Sequence, residues 1–347
     1  MRANETAPIK SENELFYPPI FIIAFTKYGL KGIIIFMKRI ICILICLVLL
    51  LFTCGCSKQE NTVNRILFDT AVTLTARCEK EILLDAIKLC EEYEALLSRT
   101  KEGSDLWRIN NAQGEVNVSE ETAYIIRTAL EYCEKTAGKY DITITPVSSL
   151  WDFGNEVIPS RLELEDAVKK VDYKRVKING NSVDSGGTKI DLGSAAKGYI
   201  ADKLKEFFEQ KGVSDAIINL GGNVYVIGNR YNKVGVASPF ESGVCGVIKM
   251  SNASAVTSGV YQRCFEKNGT LYHHFLDTST GYSLNTDLLS VTVVGESSLL
   301  CDILSTACMV SGMDGAKKLL EEAKLGGVLI PKEGNIQTVG SISFSNE

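Results

Sequence analysis

Ala216-Ile217-Ile218-Asn219-Leu220-Gly221-Gly222-Asn223-Val224-Tyr225-Val226-Ile227 holds two apolar runs separated only by a glycine pair between asparagines. Such a pair reads as a tight turn, so Ala216–Leu220 and Val224–Ile227 are consecutive strands with no helix between them. Two further apolar runs follow, Lys233–Ala237 and Val244–Met250. Helices flank this block. Upstream, Leu83, Ala86, Ile87, Cys90, Tyr93 and Leu97 recur at steps of three and four, which predicts a helix over Lys80–Arg99. A second helix starts after an N-cap at Ser119 and stops at Gly138. A short one lies near Glu163–Lys170, and a long one runs from about Ala195 to Lys211. Downstream come Ser297–Ser311 and Asp314–Lys324, then strands to the end. Strands are also expected at Ile66–Ala76, Lys174–Ile178 and Thr188–Leu192. Strands and helices do not alternate as βαβ units, so the body reads as α+β rather than doubly wound.

The N-terminus carries a different signal. Lys38 and Arg39 precede an apolar stretch, Ile40–Phe52, which ends in Thr53-Cys54-Gly55-Cys56-Ser57. That stretch is shorter than the ~20 residues of a membrane span. It has the layout of a bacterial lipoprotein signal, with Cys56 the expected lipidation site and Cys54 the alternative. An uncleaved anchor is the plainer reading; either one exports the body of the chain. A charged n-region belongs at the extreme N-terminus, so Met37 is the expected start of translation. Residues 1–56 are therefore set apart as extension and signal, 57–65 as a tether, and 66–347 as the working domain. Seven cysteines remain outside the signal: Cys78, Cys90, Cys133, Cys245, Cys264, Cys301 and Cys308. An odd number without a CxxC pair argues against a disulfide framework or a zinc site. A formal net charge of −5 gives no reason to expect a nucleic acid partner.

Four segments of the second half carry candidate chemistry. In Asp191-Leu192-Gly193-Ser194-Ala195-Ala196-Lys197-Gly198-Tyr199, small residues precede a helix whose free N–H groups favour an anion, and Lys197 adds a cation. On its own, this is equally a tight turn with a surface lysine. Asn219–Asn223 and Thr257-Ser258-Gly259-Val260-Tyr261 each read more readily as turns than as sites. The chain's two histidines are adjacent, His273 and His274, and neighbours in a strand face opposite sides. They cannot share one metal well, but one can serve as an acid/base group. Further on, Asp302 and Thr306 stand four apart on an apolar helix and offer two hard oxygens on one face, a set that suits Mg²⁺. A capping or buried hydrogen bond is the plainer account.

Taken in order, these segments resemble the ApbE family of flavin transferases. The resemblance runs from about residue 66 to the C-terminus through FDTAVTLT (68–75), LLSRTKEGSDLWRIN (96–110), GKYDITITPVSSLWDFG (138–154), DLGSAAKGYIAD (191–202), NLGGN (219–223), TSGVY (257–261), HHFLDTSTG (273–281) and SVTVVGESSLLCDILST (290–306). It implies a single two-lobed, T-fold-like α+β unit of mixed and antiparallel sheets packed with helices, with FAD in the cleft between the lobes. It implies Mg²⁺ held by Asp302, Thr306 and an oxygen of Ser194. FAD contacts are implied for Phe68, Thr100, Lys139, Tyr140, Asp141, Asp191, Lys197 and Leu276. The implied reaction moves FMN from FAD to a threonine or serine hydroxyl of an exported acceptor protein and releases AMP. His274 is the candidate to accept the hydroxyl's proton, with Asp302 able to share that task. Such a transfer needs positioning and charge neutralisation more than covalent help. The chain departs from the family pattern at Asp69, at Thr100 where an aromatic is usual, and at Thr278-Ser279 in place of Pro-Arg. Two alternatives remain: an FAD pyrophosphatase using the same residues, and a flavin-binding lipoprotein without catalysis.

Overall fold

Val72, Leu74 and Ala76 alternate with more exposed neighbours and are buried, the pattern of a strand with one face on a core. In the computed structural model this strand, β2 (Thr70–Arg77), pairs antiparallel with β1 (Glu60–Leu67). Phe68 and Asp69 form the two-residue turn between them, both at φ 56°, as a turn matched to strand twist requires. Residues 29, 32, 34–45 and 59–346 are described. The chain divides into Met1–Ser57, of which residues 34–45 are helical, and Lys58–Glu347. Cys54 and Cys56, the lipidation candidates, lie outside the described residues. The expected tether is corrected: residues 60–65 are strand, hydrogen-bonded along their length to β2.

From β2 the chain enters α1 (Lys80–Leu97), α2 (Asp105–Asn111), β3 (Val116–Asn117), α3 (Glu120–Lys135) and the single-turn α4 (Thr145–Ser148). Ser119 caps α3 by accepting from the Thr122 N–H. Then come α5 (Arg161–Val168), β4 (Lys177–Asn179), β5 (Ser182–Asp184) and α6 (Ala196–Gln210). The strand block follows as β6 (Ala216–Leu220), β7 (Asn223–Ile227), β8 (Asn232–Ala237), β9 (Val244–Met250) and β10 (Ala253–Gly259). The remaining elements are β11 (Cys264–Lys267), β12 (Thr270–His273), β13 (Leu288–Gly295), α7 (Ser298–Ala323), β14 (Gly326–Pro331), β15 (Gln337–Val339) and β16 (Ser343–Ser345).

The main sheet has eight strands in the order β1-β2-β6-β7-β10-β13-β14-β15, and every pairing in it is antiparallel. Gly221 and Gly222, both at positive φ, turn β6 into β7 as the sequence predicts. Helices α1, α6 and α7 pack against this sheet. Side-chain alternation then decides what the other face needs. Tyr225 and Ile227 join the core under α1 and α6, while Val226 and Ala255 join a separate cluster with Val236, Ile248 and Met250 of β8 and β9. The sheet β16-β9-β8 thus covers part of the second face. Helix α7 is long and apolar enough to cross a membrane, but its apolar side chains are spent on the core. At Gly312 (φ 73°, ψ −179°) it breaks between the two helices expected there.

Two expectations, one of a strand and one of a turn, fail for local reasons. Thr188–Leu192 is irregular: the Asn110 side chain takes both the N–H (2.7 Å) and the C=O (2.9 Å) of Ile190, doing the work of a neighbouring strand. Thr257–Gly259, read as a turn, is the end of β10 inside the main sheet, with Thr257 opposite Thr292.

Candidate active site

The loop before α6 is organised by side chains rather than by a sheet. The Asp191 carboxylate accepts from the Gly193 N–H (2.6 Å), and its other oxygen lies 3.3 Å from Arg99 Nε. The Asp191 N–H donates to Ile142 O (2.7 Å). Ser194 Oγ meets the Tyr140 hydroxyl at 2.9 Å; Tyr140 is buried, and burial pushes its phenol well above the usual range, so it stays a neutral hydrogen-bonding group. Lys197 Nζ donates to Gly193 O (3.0 Å), which folds the lysine back over the start of its own helix.

The first N–H groups of a helix have no partner within it. In α6 the Gly198 N–H finds one in Asp302 of α7, whose Oδ2 accepts at 2.8 Å. Only glycine permits this approach: a Cβ at 198 would stand 2.3 Å from Ser298 O and 2.7 Å from Asp302 Cβ. Burial raises the Asp302 carboxyl, while Lys197 and the Gly198 N–H pull it down. One turn on, Thr306 Oγ1 lies 3.4 Å from Ser258 Oγ, which also meets Ser305 Oγ at 2.9 Å. No hydrogen bond runs between Asp302 and Thr306 side chains among the described residues; of the plainer account, the capping part holds for Asp302, which takes an N–H of the first turn of α6.

These oxygens fit Mg²⁺ of a particular kind. Among the described residues no three His, Cys, Asp or Glu side chains converge, which argues against an all-protein cage. Oδ2 of Asp302 is engaged by Gly198, while no described residue donates to Oδ1. One carboxylate and neutral hydroxyls suit a cation whose shell is completed by phosphate oxygens and water. Ser194 hydrogen-bonds to Tyr140 and to neither Asp302 nor Thr306.

His273 closes β12 and is buried; His274 follows it, its N–H donating to Arg263 O (3.1 Å). Burial lowers both rings from 6.5 to about 4, with Arg263 and Lys197 adding to the effect at His274 and Lys332 at His273. Nδ1 of each ring is buried without a hydrogen-bond partner.

A groove of about 960 Å³ opens nearby. Lys139 and Leu276 line it together with Asp277, Thr278, Ser279, Asp287 and Val310–Met313 of α7. Asp302 and Thr306 lie upstream on the same helix, Asp302 being ~12 Å along the axis from Val310.

The sequence profile of the ApbE family matches residues 68–329. This chain belongs to the ApbE family. Relatives named FAD:protein FMN transferase include one from Treponema pallidum, 30% identical over 267 residues (69% of this chain, 74% of that protein). Another, from Klebsiella pneumoniae, is 30% identical over 285 residues (79% and 90%). Among solved structures, the ApbE protein of Thermotoga maritima superposes with a TM-score of 0.74 at 29% identity, covering 81% of this chain and 97% of its own. The flavin transferase ApbE from Vibrio cholerae shares the fold at a TM-score of 0.72 and 23% identity, covering 82% and 97%. The α+β architecture built from antiparallel sheets is therefore that of ApbE structures.

Seen as an ApbE site, the sequence-predicted residues separate into groups. Lys197, Asp302 and Thr306 lie at the α6–α7 junction, Asp191 and Ser194 are in the loop that leads into it with Tyr140 bonded to Ser194, Lys139 and Leu276 line the groove, and His274 is held by Arg263 O. Asp141 does not stand free: its oxygens accept from Thr143 N–H (2.8 Å), Thr143 Oγ1 (2.6 Å) and Tyr173 N–H (3.0 Å), so it ties a turn together. Phe68 sits at the β1–β2 turn, its N–H held by Glu94 Oε1 (2.6 Å). Thr100 is exposed and bonded to Ser98. Neither Phe68 nor Thr100 lines the groove. Reasoning from sequence missed Arg99, Ser258 and Asp202. Asp202 closes the DLGSAAKGYIAD segment one turn beyond Gly198, a spacing that could have flagged it.

Proposed function

We propose that this protein is a flavin transferase that moves the FMN part of FAD to a threonine or serine hydroxyl of another protein and releases AMP. The observation that carries the reading is the junction of Lys197 and Asp302 at the start of α6, in a chain whose relatives bear that activity's name. Lys197 and the α6 N-terminus would bind the pyrophosphate. Asp302 and Thr306 would hold Mg²⁺, Ser194 being a third candidate, and the cation would supply charge neutralisation at the phosphates. His274, neutral at pH 7, is the candidate to take the proton of the attacking hydroxyl. Its low basicity in the free protein suits a site that gains negative charge when FAD enters.

The export signal adds the setting. With Cys56 lipidated at the outer face of the membrane, the folded body would begin at Glu60, no more than ~14 Å of extended chain from the anchor. Exported redox proteins are the natural acceptors in that place. The functional test is AMP release from FAD and Mg²⁺ with and without an acceptor. Release that depends on acceptor supports transfer; equal release without it makes the protein an FAD pyrophosphatase, and none in either case leaves a binding protein.

A further inference from the structure

Helices α6 and α7 cap each other. The Asp302 carboxylate of α7 takes the Gly198 N–H in the first turn of α6. In return, Asp202 of α6 takes the first turn of α7: Oδ1 accepts from the Ser298 N–H (2.7 Å), and Oδ2 from the Leu299 N–H (3.0 Å) and Ser297 Oγ (3.1 Å). Both pairs, 198 with 202 and 298 with 302, are spaced by four, so each lies on one helix face with its members ~6 Å apart along the axis. Two anchor points at different heights fix rotation as well as translation.

The first turn of α7 is also tied to the sheet. Ser298 Oγ donates to Asn223 Oδ1 (2.9 Å) and accepts from Ser254 Oγ (2.8 Å). Asp202 lines neither the groove nor the Lys197 loop, and its carboxylate spends all its described bonds on α7. Its effect therefore reaches the site only through where α7 stands.

We infer that Asp202 is a positioning residue for the transfer site: by capping α7 it sets the place of Asp302, and with it Thr306, against Lys197 and Gly198. This rests on the reading of Asp302 as a metal-holding group. Removing a partner that orients a metal ligand typically weakens metal binding by about 10- to 100-fold.

The test is Asp202→Asn, which keeps the shape but turns an acceptor into a donor facing an N–H. Half-saturating Mg²⁺ is read from AMP release with acceptor present, and independently from the rise in Tm that Mg²⁺ gives the FAD-bound protein. Asp202→Asn should raise it about 10-fold in both assays, with the rate at saturating Mg²⁺ largely restored. Ser297→Ala, which removes one donor to the carboxylate together with the α7 cap on the Leu300 N–H and leaves Asp202 intact, should move it the same way by less, and stands in if Asp202→Asn does not fold. A lower Tm with unchanged half-saturating Mg²⁺ would make Asp202 a mere brace and overturn the inference. If the unaltered protein shows no Mg²⁺ dependence in either assay, the metal reading itself fails and the inference falls with it.

Discussion

Gly198→Ala adds one methyl group where two helices touch. That carbon would meet Ser298 O at 2.3 Å and Asp302 Cβ at 2.7 Å. Carbon contacts settle near ~3.5 Å, so α7 must recede by about 1 Å; Ser298 O is backbone and cannot rotate aside. Helix propensity works the other way, favouring alanine by about 1 kcal/mol. Overpacking of this size costs about 1–3 kcal/mol, so the net loss of stability should be about 0–2 kcal/mol and the protein should fold. The site is more sensitive. A displacement of about 1 Å in a reacting array can cost ~10²-fold in rate, equivalent to about 2.7 kcal/mol. Activity should therefore fall by more than stability does. The assay pairs AMP release at saturating FAD and Mg²⁺, acceptor present, with urea unfolding of the same variant. Wild-type rate and stability together would refute the close packing of α6 on Asp302.

Asp302→Asn keeps an oxygen for the Gly198 N–H and removes a charge that burial disfavours; urea unfolding should show stability at pH 7 unchanged or higher, while transfer drops by ~10²-fold or more, the loss of several kcal/mol of charge neutralisation. Full activity at limiting Mg²⁺ would remove Asp302 from the mechanism. With only two histidines in the chain, proton NMR can follow both rings, and each should protonate near about 4 in the free protein. Because these folded values lie below 6.5, the unfolded chain binds more protons in that window, so the histidines withdraw stability as pH falls from 6.5 towards about 4. The raised carboxyls of Asp141, Asp202 and Asp302 have the opposite sign, adding stability as pH falls through their folded values. FAD should lift His274 more than His273; a His274 titrating at its ordinary value in the free protein would contradict its burial. Lys197→Ala should weaken FAD and leave riboflavin binding alone, measured by fluorescence quenching, since the lysine is assigned to the pyrophosphate.

Where side-chain spacing alone sets geometry, the sequence was readable. Asp302 and Thr306 share a face of α7 because helices repeat every 3.6 residues, and Gly221-Gly222 turns β6 into β7 because both positions need positive φ. The start of the domain was misread because Glu60–Arg65 is polar on its exposed side, and an edge strand of that kind looks like a linker. The stretch 188–192 looked like a strand because its backbone is satisfied as one would be; that the partner is the Asn110 side chain, 80 residues upstream, is a tertiary fact. Asp141 was grouped with flavin contacts from its motif, and only the fold reveals that Thr143 and Tyr173 consume its oxygens. The reciprocal capping by Asp202 was hidden for the same reason, since each half lies about a hundred residues from the other.

The central claim is group transfer to protein, and intact-mass analysis of the acceptor tests it most directly. A purified exported redox protein is incubated with this enzyme, FAD and Mg²⁺, then denatured and weighed. Transfer predicts a covalent gain of one FMN less water, lost when the acceptor's threonine or serine is replaced by alanine or valine and absent with Asp302→Asn. An unchanged acceptor mass, with FAD consumed to free FMN and AMP, would contradict it.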